Sequence, residues 1–131
     1  MKVYQIPVGP MQNFSYIVED TSTHEAIVID PSWDLEKLTK TIDEQNLKIK
    51  YIVNTHWHDD HTRGNEELSK QLGVKIIQHE ASQLKSDLTV SDGDSIEFGS
   101  SFLWSIIHLV IQKIVYVSLV EGKFLRVIHC L

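Results

Sequence analysis

The chain opens with an alternation of apolar and polar positions that favours strands. Lys2 to Ile6 alternates and stops at Pro7, which predicts an opening strand, and Gly9-Pro10 then turns the chain. Phe14 to Glu19 and Ala26 to Asp30 are two apolar runs separated by the polar Asp20-Thr21-Ser22-Thr23-His24-Glu25, the pattern of a β-hairpin with His24 solvated in its turn. Asp30-Pro31-Ser32 breaks the second strand. From Asp34 to Gln45 the period changes to that of a helix: Leu35, Leu38 and Ile42 share one face, with lysines and acids on the other.

A second strand-helix-strand unit follows. Ile49 to Asn54 reads as a strand, Gly64-Asn65 opens a short helix with Leu68 and Leu72 inward, Gly73 stops it, and Val74 to Gln78 is the next strand. His79 at that strand's end fits a structural role, and a short helix is expected through Ala81 and Leu84. Asp92-Gly93-Asp94 is a turn between two short strand candidates ending at Phe98-Gly99, with too few oxygen ligands for a calcium loop. From Phe102 to Val120 the sequence is almost uniformly apolar and β-branched. It is long enough for a membrane span, but His108, Gln112 and Lys113 in its middle favour a buried strand pair.

Between the second unit's first strand and its helix lies Thr55-His56-Trp57-His58-Asp59-Asp60-His61. Imidazoles so crowded would repel one another once protonated, so the cluster makes poor plain surface. It makes sense around a divalent metal, for which neutral imidazoles and carboxylates are ordinary ligands. Residues two apart in an extended segment point the same way, so His56 and His58 can grip one ion, leaving Asp60 and His61 to face a second. Trp57 and Asp59 between them shape the loop.

Composition narrows the class. With 131 residues there is room for one domain, and a net charge of −6 argues against nucleic acid or an anionic membrane as partner. The single cysteine, Cys130, excludes an internal disulfide, and the first residues lack the apolar core of a secretion signal, so a cytoplasmic location is expected.

The Thr-His-x-His-x-Asp-His stretch resembles the metal motif of the metallo-β-lactamase superfamily, most nearly hydroxyacylglutathione hydrolase (glyoxalase II) and its small relatives. Gly9 to Tyr16, Ile29-Asp30-Pro31, Gly64-Asn65 and Asp92-Gly93-Asp94 extend the resemblance from about Val3 to about Gly99. It implies an α+β fold, the αββα sandwich of that superfamily, present here as its N-terminal half with an incomplete second sheet. Residues 1–131 would form a single truncated domain, with 102–131 an atypical apolar tail. It further implies His56, His58, Asp60 and His61 as metal ligands, for one or two zinc ions with iron or manganese as alternatives. Asp60 would be the catalytic residue, and a metal-activated hydroxide would attack a small-molecule thioester or ester.

After Ile106-Ile107-His108 the family pattern calls for Thr-Pro-Gly-His-Thr and, further on, Thr-Gly-Asp, neither of which is written here. His108 or His129 could replace the missing histidine only outside that context. The genetic code offers a reason. With the frame moved back one base, Leu109-Val110-Ile111-Gln112 becomes YCT-NGT-NAT-HCA, which permits Pro-Gly-His-Thr. In the same frame the segment from Leu125 to Cys130 permits Thr-Gly-Asp-Thr-Leu. The residues after His108 therefore read as a frameshifted second half, cut short at Leu131. An impaired hydrolase is the resulting expectation. The alternative is a non-catalytic remnant or interaction module that binds metal incidentally and self-associates through 102–120.

Overall fold

The computed structural model describes residues 2–10, 13–54, 62–80, 86–91, 93–108, 113–120 and 123–126. Among the described residues ten strands and two helices run in the order β1 (Lys2–Val8), β2 (Asn13–Glu19), β3 (Glu25–Ile29), α1 (Leu35–Glu44), β4 (Lys48–Val53), α2 (Asn65–Leu72), β5 (Lys75–His79), β6 (Leu88–Val90), β7 (Ser95–Phe98), β8 (Ser101–His108), β9 (Lys113–Val120) and β10 (Lys123–Arg126). The first six strands form one sheet in chain order, and the last four form a second in the order β10-β9-β8-β7.

The first sheet joins two kinds of pairing. β1–β2–β3 is an antiparallel meander, whereas β3, β4, β5 and β6 run parallel. Parallel neighbours need a crossover, and α1 and α2 supply it between β3 and β4 and between β4 and β5. Strand alternation then sends side chains to two cores. Ile17, Ala26, Val28, Ile52 and Ile76 meet Leu38 and Ile42 of α1 and Leu68 of α2 on one face. Tyr16, Val18, Ile27, Ile29, Val53 and Ile77 meet Ile96 and Phe98 of β7 on the other. Helices, first sheet and second sheet are therefore stacked in that order. Both faces of β3 and β4 are covered, which is why these strands read as near-continuous apolar runs.

The hairpin and both helices stand where the apolar pattern places them, to within two residues. Leu38, Ile42 and Leu68 are buried, and Leu35 and Leu72 pack as partly buried residues against the same core. Two elements differ from expectation. β1 continues through Pro7 to Val8, with Pro7 opposite Phe14. It is an edge strand, and proline, lacking an N–H, is tolerated at a sheet edge. The turn at 91–94, held by Ser91 N–H to Asp94 Oδ2 (2.7 Å) and Asp94 N–H to the Ser91 carbonyl (3.0 Å), carries the chain from one sheet to the other, since β6 and β7 belong to different sheets. The apolar stretch from Phe102 onward contains the antiparallel pair β8–β9, and no helix among the described residues is long and apolar enough to cross a membrane. The short helix expected through Ala81 and Leu84 falls on residues 81–85, outside the described residues.

The two sheets are also tied by a polar contact. Asp20, in the β2–β3 turn, is 4% exposed. It accepts hydrogen bonds from Thr23 Oγ1 (2.7 Å) and Ser22 Oγ (3.1 Å) of its own turn, and from Ser100 N (2.8 Å) and Ser101 Oγ (3.1 Å) at the β7–β8 turn. Burial alone would raise its pKa, but these donors outweigh it and hold the carboxyl well below the usual carboxylate range. Gly99, at φ 60°, completes the contact: a Cβ there would collide with the Asp20 carboxylate and the Thr23 hydroxyl. Next to it Glu19 accepts from Tyr4 Oη (2.7 Å) and lies 2.7 Å from Nδ1 of the largely exposed His24.

Candidate functional site

β3 and β4 end level with one another, and β5 runs two residues further, to His79. Ile29 is the register partner of Val53, and Val53 of Ile77. Asp30, Asn54 and Gln78, the next residue on each strand, therefore meet at the carboxyl end of the parallel strands. This edge is the usual address of a site in an open α/β sheet. All three are polar and buried, at 3%, 0% and 1% exposure.

Their side chains form a connected group with Asn65, the first residue of α2. Asn54 Nδ2 donates to Asn65 Oδ1 (3.1 Å) while Asn65 Nδ2 donates back to Asn54 Oδ1 (2.6 Å), a reciprocal amide pair. Gln78 Nε2 also donates to Asn54 Oδ1, and Asp30 Oδ1 lies 3.5 Å from Asn54 Nδ2. The backbone adds to this: Asn54 N–H reaches the Ile77 carbonyl (3.3 Å) and Asp30 N–H the Val53 carbonyl (3.0 Å). Asp30 holds φ 55°, which takes it out of the strand's alternation, and its carbonyl accepts from Ser15 Oγ (2.7 Å).

Gly64 ties the start of α2 to the segment that follows β3. Its N–H donates to the Pro31 carbonyl (3.1 Å), and a Cβ there would stand 2.7 Å from Leu35 Cδ2 and 3.0 Å from the carbonyls of Pro31 and Ser32. Only glycine allows that approach. One residue earlier, Arg63 lays its guanidinium over the Trp33 ring, 4.8 Å from the centroid. Burial, and then the charge of Asp30, push the Tyr16 hydroxyl above its ordinary pKa.

The four sequence-predicted ligands, His56, His58, Asp60 and His61, lie outside the described residues, between Asn54 and Thr62. Among the described residues no group of three or more His, Cys, Asp or Glu could hold a metal. The donor set of the 55–61 stretch, three imidazoles and carboxylates, nevertheless suits a divalent ion. His79 is buried at the end of β5 and His24 sits in the hairpin turn at the opposite end of β3. Sequence reading passed over Asn54 and Gln78 as mere strand ends. The available signal was that three successive apolar strands each stop on a buried-capable polar residue.

A model of the Metallo-beta-lactamase superfamily matches residues 8–127. The hydroxyacylglutathione hydrolase of Pelagibacter ubique is 35% identical over 100 residues, 74% of this chain and 41% of that protein. The human mitochondrial persulfide dioxygenase ETHE1 is 38% identical over 88 residues, 66% of this chain and 35% of that protein. Among solved structures, ETHE1 from Myxococcus xanthus superposes with a TM-score of 0.80 at 19% identity, covering 90% of this chain and 54% of that one. The chain thus spans about two fifths of the length of the curated relatives it matches. With the family model extending over most of its residues and the superfamily's fold in its strands, this chain belongs to the metallo-beta-lactamase superfamily.

Proposed function

We propose that the chain derives from a metal-dependent hydrolase of the glyoxalase II type, acting on a small-molecule thioester or ester, and that in this form its turnover is impaired. The observation that carries the reading is the buried polar group at the carboxyl side of β3, β4 and β5, in which Asn54 and Asn65, bonded to each other, flank the His56–His61 stretch in sequence. The hydroxyacylglutathione hydrolase relative supports the substrate class.

In this reading His56, His58, Asp60 and His61 hold zinc, with iron or manganese as alternatives. When bound, the ion supplies a Lewis acid for the scissile carbonyl and brings the pKa of a water toward neutrality. Asp60 orients the attacking water and accepts its proton at a carboxylate oxygen. Arg63, two residues after His61 in sequence, is itself held by stacking on the Trp33 ring. The second-half ligands of the family pattern are not written in this chain, and removing ligands lowers both affinity and geometric control.

Zinc uptake by the purified chain and its His56→Ala/His58→Ala variant, together with hydrolysis of an acyl-glutathione thioester, tests this. Uptake that depends on both histidines and slow hydrolysis lost in Asp60→Asn are expected. Unchanged uptake in the double variant overturns the metal assignment. The ETHE1 relative favours a second reading, a persulfide dioxygenase, which oxygen consumption with a glutathione persulfide and no thioester cleavage would establish.

A further inference from the structure

Residues 55–61 lie in sequence between two anchors. Before them stands Asn54, whose backbone is bonded to β5; after them stand Gly64, wedged against the Pro31 and Ser32 carbonyls, and Asn65. The two anchors are joined side chain to side chain by the reciprocal Asn54–Asn65 amide pair, with Gln78 as a third member.

Burying amides is costly, by roughly 1–3 kcal/mol for each group left unpaired in a protein. An apolar trio at 54, 65 and 78 would dock α2 on the sheet without that cost. What an apolar contact lacks is direction. Two antiparallel N–H···O bonds between planar amides fix distance and mutual orientation, and the third donor at Asn54 Oδ1 removes the remaining freedom of that side chain. The pair spans 11 positions of chain, and every candidate ligand of this half lies between its members in sequence. Ligand sets must be held to within about 0.5 Å by their support to bind a metal well.

We infer that Asn54, Asn65 and Gln78 are positioning residues for the metal loop: their amide clamp fixes the two ends of residues 55–61, and so the spacing of His56, His58, Asp60 and His61. This rests on the proposed metal-binding reading and adds to it the residues that would set affinity from outside the ligand set. Among the described residues the buried Gln78 Oε1 has no hydrogen-bond partner. The clamp thus depends on Gln78 only through its Nε2 donor, so Gln78→Met should loosen it less than Asn65→Ala.

The experiment is Co(II) titration of the full chain, following the visible d–d bands, for wild type, Asn65→Ala, Gln78→Met and Leu68→Ala. Leu68, fully buried on the same helix, is the control for lost helix packing. Asn65→Ala should raise the Co(II) Kd about tenfold or more, the usual effect of removing an outer support of a metal site. Its bands should also shift, and apo-protein hydrogen exchange should quicken in 55–61. Gln78→Met should show the same changes more weakly, while Leu68→Ala lowers Tm but leaves bands and Kd unchanged. If wild type binds Co(II) through His56 and His58 and Asn65→Ala matches it in Kd and bands, the clamp inference alone fails. If wild type takes up no Co(II), the metal reading fails and takes the inference with it. Should Asn65→Ala not fold, Gln78→Met decides on the same readouts, and loss of fold in both would assign the amides to stability and overturn the proposal.

Discussion

Replacing Asp20 by alanine should remove the polar tie between the two sheets without touching the candidate site, which lies at the other end of β3. The carboxylate collects donors from Ser22, Thr23, Ser100 and Ser101. Ser22, Thr23 and Ser100 are exposed residues and can turn to water when the acceptor is removed. Ser101, 1% exposed, cannot. One stranded buried donor, plus lost charge-assisted bonds partly replaced by water, amounts to about 2–4 kcal/mol. At roughly 4 °C per kcal/mol for a domain of this size, Tm should fall by roughly 8–16 °C.

The pH dependence carries a definite sign. The folded pKa of Asp20 is depressed, so its contribution is complete above the unfolded value of about 3.9 and is lost as pH falls below it. The stability gap between wild type and Asp20→Asn should therefore be about 1 kcal/mol smaller at pH 3 than at pH 7. Glu19, whose pKa is also lowered, titrates in both proteins and cancels in the difference. Urea unfolding followed by far-UV circular dichroism at the two pH values measures it. An Asp20→Ala Tm within about 3 °C of wild type, well under the shift calculated above, or a gap independent of pH, would refute the reasoning.

Tyr4 gives the opposite sign: burial, its hydrogen bond to Glu19 and the Glu19 charge push its pKa up to about 12. Its contribution is complete below the unfolded value of about 10 and is lost as pH rises through the folded one. The 295 nm phenolate titration of wild type minus Tyr4→Phe should rise near the higher value, and a rise near pH 10 would contradict the half-buried Tyr4–Glu19 bond. The coding DNA across Leu109–Gln112 and Leu125–Cys130 should spell Pro-Gly-His-Thr and Thr-Gly-Asp-Thr-Leu in the frame displaced by one base. Codons that cannot do so remove the frameshift explanation of the tail.

What sequence shows of this fold is what short range determines. The face of α1 and the β2–β3 hairpin follow from period alone, because neighbours in sequence decide them. The end of β1 does not: whether Pro7 stops a strand depends on whether that strand has one neighbour or two, and β1 has one. Nor does the turn at 91–94 reveal that it changes sheets. The same limit hides the two polar clusters. Asp20 reads as a solvated turn residue, yet half its donors come from residues 80 and 81 positions away. Asn54, Asn65 and Gln78 look like a strand stop, a helix start and another strand stop, and only the register that brings Val53 beside Ile77 makes them one group. The proposed ligand motif is legible because its residues are adjacent, whereas the amide group we propose as its support is assembled from three elements. Polar residues that end apolar strands are thus worth reading together, since a parallel sheet delivers their side chains to one edge and burial obliges them to find each other there.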